Sequence, residues 1–91
     1  MDYSTETLTE IRSLANKLTP ITEISVLLGL NEAFLRDDIA TVGHPARQAF
    51  YEGMASQALE IRKRTLKLAA AGSPSADESL KIYLKKMLND L

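Results

Sequence analysis

One histidine, one pair of adjacent carboxylates and one short basic run are the residues of this chain whose types could do chemistry. His44 stands in Gly43-His44-Pro45, between a helix end and a helix start, so its expected work is in the loop or in capping. Asp37-Asp38 has the composition of a metal-binding or acid–base pair. Adjacent helical residues, however, point about 100° apart and cannot converge on one atom. They read instead as a solvated face, with Asp38 paired to Arg36 or Thr41. The chain has no cysteine, which excludes a disulfide framework, a thiol nucleophile and any Cys-based zinc or redox site. Gly29, Gly43, Gly53 and Gly72 are isolated, so no glycine-rich phosphate loop exists. No catalytic residue, metal or cofactor is expected. What remains is recognition chemistry, and the basic run Ile61-Arg62-Lys63-Arg64-Thr65-Leu66-Lys67 is its densest cationic feature.

The elements that must position these groups are helices. Of 91 residues, 45% are apolar, enough for one modest core, and no segment alternates with the period of a strand. The first helix spans about Thr5–Leu18, with Leu8, Ile11, Leu14 or Ala15, and Leu18 facing inward. Thr19-Pro20 reads as an N-cap followed by proline at the first helical position. A short second helix then carries Ile21, Ile24 and Leu27-Leu28 to its stop at Gly29. Asn31 caps a third helix from Glu32 to about Thr41, with Leu35, Ile39 and Val42 inward. A long fourth helix follows from Pro45 to Ala71, and Gly72 ends it. Ser73-Pro74 repeats the cap-plus-proline signal for a last helix running to about Asn89, with Leu80, Tyr83 or Leu84, Met87 and Leu91 inward. Phe34 is expected in the core beside Leu35.

The second and third helices match the helix-turn-helix pattern. Ser25, four residues before Gly29, is small where the helices must cross. Gly29 permits the turn, Leu30 plugs the space between the helices, and Asn31 starts the second helix of the pair. A hairpin used only for packing would show the same spacing. In the fourth helix, Phe50, Met54, Gln57-Ala58, Ile61 and Leu68 fall on one side, available to pack the last helix as an αα-hairpin. Tyr51, Ala55, Leu59 and Leu66 fall on the other, and a 91-residue chain has few partners of its own for them. That second face is read as a self-association surface. Lys63, Arg64 and Lys67 form a polar stripe between the two. Gly53 inside this helix marks either a close helix approach or a tolerated exposed glycine.

Charge divides the chain. Residues 1–43 hold three basic and seven acidic side chains, whereas residues 44–91 hold eight and five. The acidic front and the basic back can attract each other between copies. The expected organisation is a helix-turn-helix head over residues 1–43 and a self-assembling helical hairpin over 44–91. No apolar run reaches the roughly 18–20 residues of a membrane span, and the acidic, polar start does not read as a secretory signal, so a cytoplasmic protein without membrane association is expected.

The order of Ile21-Thr-Glu-Ile-Ser-Val-Leu-Leu-Gly-Leu-Asn31, Ala49-Phe-Tyr-Glu-Gly53 and Ala69-Ala-Ala-Gly-Ser73 leading into Leu80-Lys-Ile-Tyr-Leu84 resembles the small terminase subunits of phages and prophages. The likeness covers about residues 20–88. It implies a non-enzymatic protein that binds double-stranded DNA for packaging, forms a homo-oligomer, and engages a large ATPase–nuclease subunit. On that reading Thr22, Asn31 and Arg36 lie near the groove, Arg12 and Lys17 contact phosphate, and Lys63, Arg64 and Lys67 form a second, nonspecific patch. The third helix is acidic, with Glu32, Asp37 and Asp38 against Arg36. The alternative is therefore an assembly or adaptor protein that binds a protein partner through its acidic head.

Overall fold

The computed structural model describes residues 2–91 and is all-α, with no strand among the described residues. Five helices follow one another: α1 (Thr5–Asn16), α2 (Ile21–Leu28), α3 (Glu32–Ala40), α4 (Pro45–Ala70) and α5 (Pro74–Asn89). No described helix is long and apolar enough to cross a membrane.

Local chemistry explains most of the boundaries. Ser4 accepts from the Thr7 amide to start α1, Asn31 accepts from Phe34 to start α3, and Ser73 accepts from Ala76 to start α5 with Pro74 in its first turn. Gly29 takes a left-handed φ of 66°. The Leu30 amide then reaches the Ser25 carbonyl (2.9 Å) while the Gly29 amide reaches that of Val26 (3.4 Å). The end of α1 closes in the same way around a residue that is not glycine. Leu18 has φ 61°, its amide meets the Ala15 carbonyl (2.9 Å), and the Thr19 amide meets that of Leu14 (3.1 Å). Thr19 is thus spent on closing α1 and does not cap α2, which begins after Pro20 without a side-chain cap.

The chain forms two compact units, residues 1–57 and 58–91. The division falls fourteen residues beyond the expected 43/44 boundary, because the first half of α4 belongs to the core of the head. That core is Ile11, Ile24, Leu35, Ile39, Ala46 and Ala49, with Tyr3, Leu8, Leu14, Ile21, Leu28, Leu30 and Phe50 packed around it. Ile11, Ile24 and Leu35 are completely buried, each contributing about 1.5–3 kcal/mol of apolar burial. The fully buried positions of α4 are its small residues Ala46, Ala49 and Gly53. A backbone pressed against a neighbouring helix leaves room for nothing larger.

Several expected core positions lie outside. Leu18, Leu27, Phe34 and Val42 are exposed, as are Leu68, Leu84, Met87 and Leu91. Phe34 follows Asn31 and Glu32 on the first turn of α3, and Leu35 alone occupies the inward angle there. Val42 lies past the end of α3, so helical spacing no longer governs it. The face running from Phe50 to Leu68 also divides. Phe50 packs on the head core, while Ala58, Ile61, Thr65 and Ala69 are the half-buried residues of α4 in the second unit. In that unit α4 turns into α5 at Gly72, where Ser73 and Gly72 amides close on the Leu68 and Ala69 carbonyls. Ala76 is the only buried residue of 58–91.

Candidate nucleic-acid interface

The α2–turn–α3 pair is positioned by Ser25, which is 3% exposed and whose hydroxyl donates to the Thr22 carbonyl (2.7 Å). A larger residue there would push the helices apart. With Leu35 and Ile39 turned to the core, α3 presents Glu32, Ala33, Phe34, Arg36 and Asp37 outward.

Thr22 and Arg36 are brought together. The Arg36 guanidinium donates one N–H to the Thr22 hydroxyl (2.9 Å) and another, from Nε, to Glu32 Oε2 (3.0 Å), one helical turn away. Asn31 lies at the N-cap of α3 with its Oδ1 occupied by the Phe34 amide (3.0 Å). The α1 cations are engaged elsewhere. Arg12 Nε donates to Glu52 Oε2 on α4 (2.8 Å), and Lys17 donates to Ser13 (3.2 Å) on its own helix. Hydrogen bonds from Gln48 and then Arg12 hold the Glu52 carboxyl below the usual carboxylate range. In the second unit Lys63 pairs with Glu60 (3.2 Å), Arg64 Nε approaches the Glu60 carbonyl (3.5 Å), and Lys67 is exposed and unpaired among the described residues. Tyr51, Ala55, Leu59 and Leu66 are all exposed along α4.

The end of α3 is held by Arg47, which the sequence reading did not single out. Arg47 Nη1 donates to the Ile39 carbonyl (2.8 Å), capping the negative end of α3, while its guanidinium lies 4.6 Å from the Tyr51 ring centroid. His44 does cap, as expected of it. Its Nδ1 accepts the Ala46 amide (3.0 Å), which places the imidazole proton of the neutral ring on Nε2, 3.6 Å from Asp38 Oδ1. Thr41 reaches Asp38 through the backbone, its amide donating to the Asp38 carbonyl (3.2 Å), and the Asp38 carboxylate is engaged by residues of other segments. It accepts the Tyr3 hydroxyl (2.6 Å), and the Tyr3 ring stands edge-on to His44 at 5.7 Å. The Tyr3 hydrogen bond, with help from His44, holds the Asp38 carboxyl below its ordinary range. Burial, reinforced by Asp38, pushes the Tyr3 hydroxyl up. This cluster ties the N-terminal segment to α3 and to the start of α4. No signal in the sequence links Tyr3 to a residue thirty-five positions away.

No family model, curated protein or solved structure matches the chain.

Proposed function

We propose that this chain is a DNA-binding, non-enzymatic helix-turn-helix protein of the phage or mobile-element type, similar to a small terminase subunit that selects DNA for packaging and self-assembles. The observation that carries the reading is the α2–turn–α3 joint. Ser25 is buried at the crossing, Gly29 is left-handed, Asn31 caps α3, and the outer side of α3 is left open to a groove. Lys63, Arg64 and Lys67 supply a sequence-independent phosphate patch on the second unit. A large ATPase–nuclease subunit is the partner such a protein would serve, in the cytoplasm.

A second reading has its own observation. Arg36, the one cation on α3, is already paired with Glu32, and Phe34 beside it is 59% exposed within an acidic surface. That combination suits a basic, apolar protein partner better than a phosphate backbone. Titration of labelled duplex DNA by fluorescence anisotropy at low and moderate salt separates the two. Binding that falls steeply with salt and keeps a sequence preference supports the DNA reading. Absence of binding at low salt overturns it in favour of a protein partner.

A further inference from the structure

Large apolar side chains on the outer face of a short helix are normally covered, and α2 carries two of them in the open. Ile21, Ile24 and Leu28 face the core of the head, yet Val26 is 76% exposed and Leu27 64%. Glu23 lies three and four residues before them, so all three share the outer face of α2, and Glu23 has no ion-pair partner among the described residues. The face borders the outward residues of α3 at Thr22, whose hydroxyl accepts from Arg36 (2.9 Å).

The second unit offers an apolar groove. Between the end of α4 and α5 runs an open groove of about 790 Å³, lined by Leu66, Leu80, Leu84 and Met87 together with two cations, Arg62 and Lys86, and one carboxylate, Asp90. Leu66, Leu84 and Met87 are each more than half exposed. Charge selects among the occupants. Residues 58–91 carry seven basic and four acidic side chains, residues 1–57 four and eight. Hairpin against hairpin would bring like charge to like, whereas head against hairpin brings opposite charges together.

We propose that α2 of one copy seats Val26 and Leu27 in the α4–α5 groove of a second copy, with Glu23 meeting Arg62 and Lys86. The inference rests on the self-assembly part of the proposed function and deepens it. The contact joins two different surfaces, so it is heterologous and repeats head to tail, closing into a ring or running on as a filament. An eight-residue helix in a shallow groove buries less than a standard interface, so each contact is weak and assembly depends on concentration.

Two surface variants test it by sedimentation equilibrium of the full chain. The ridge variant is Val26→Gln with Leu27→Gln, and the groove variant is Leu84→Gln with Met87→Gln. All four positions are exposed, and unchanged helical circular dichroism and melting confirm the fold. Each variant alone should fall to the 10.0 kDa of one chain. An equimolar mixture should recover one intact contact per pair and stop at twice that mass. A wild-type chain that stays monomeric overturns self-assembly together with this contact. A ridge variant that still assembles like wild type overturns only the α2 contact and leaves self-assembly, and the DNA titration, standing.

Discussion

Gly53 of α4 lies so close to the backbone carbonyl of Arg12 on α1 that a Cβ at this position would collide with that oxygen and touch Ala15 Cβ at 3.0 Å. Asn16 spans the same crossing, its Nδ2 donating to the Gly53 carbonyl (3.2 Å). Of the two readings open for a mid-helix glycine, the close approach is the one realised. The seam between α1 and α4 is set by backbone contact, with Arg12–Glu52 on its outer edge.

Gly53→Ala should therefore destabilise the protein by about 1–3 kcal/mol, the range for overpacking against an unyielding neighbour. Helix propensity alone would favour alanine by about 1 kcal/mol, so the sign of the change reports the contact. Urea denaturation decides it, and a gain in stability would mean that the helices can part without cost.

Leu18 holds a left-handed conformation that glycine adopts without strain. Leu18→Gly should raise stability by about 1 kcal/mol, because the half-exposed side chain contributes little packing to oppose the relief. Thermal unfolding followed by circular dichroism would show the midpoint moving up by several degrees, as such a change does in a domain of this size.

The Tyr3–Asp38 pair gives the fold a pH dependence of known sign. Asp38 and Glu52 both titrate lower in the folded chain than in the unfolded one, so the unfolded state binds more protons near pH 4. Their contribution is present above the ordinary carboxylate range and is lost as pH falls through the folded-state values. Tyr3, shifted up, contributes below about pH 10 and loses its contribution as pH rises beyond it. In chemical denaturation between pH 2 and 6, Tyr3→Phe should flatten the acid limb of the stability curve. An acid limb identical to wild type would remove the hydrogen bond from the account.

On DNA, Arg36→Ala should weaken binding about tenfold and relax the preference between sequences, whereas Lys63→Ala should weaken all sequences alike and reduce the salt slope by about one. Glu32→Gln frees Arg36 and removes a charge facing the phosphates, so it should strengthen binding roughly threefold at low salt. Equal, sequence-blind losses from Arg36→Ala and Lys63→Ala would argue against α3 as a reading helix.

The five helices and most of their ends were legible in the sequence, because capping and glycine closure are local chemistry. Ser73, Asn31, Gly29 and Gly72 each act on amides or carbonyls within five residues, as does Ser4, which the sequence reading did not name as a cap. The joint between α2 and α3 was legible for the same reason, since Ser25, Gly29, Leu30 and Asn31 lie within seven consecutive residues. Burial was harder to read. Apolar spacing found Ile11, Ile24 and Leu35 but also put Phe34, Leu84 and Met87 inside, because periodicity marks a face without saying whether anything covers it.

Only the tertiary structure decided where the head ends and which cations are spoken for. The packing face of α4 is built from Ala46, Ala49 and Gly53, which a search for large apolar residues passes over. Arg12 meets Glu52 across forty positions, and Tyr3 meets Asp38 across thirty-five. Such contacts depend on how helices cross, and crossing is fixed by close packing of the whole head, not by the residues next in line.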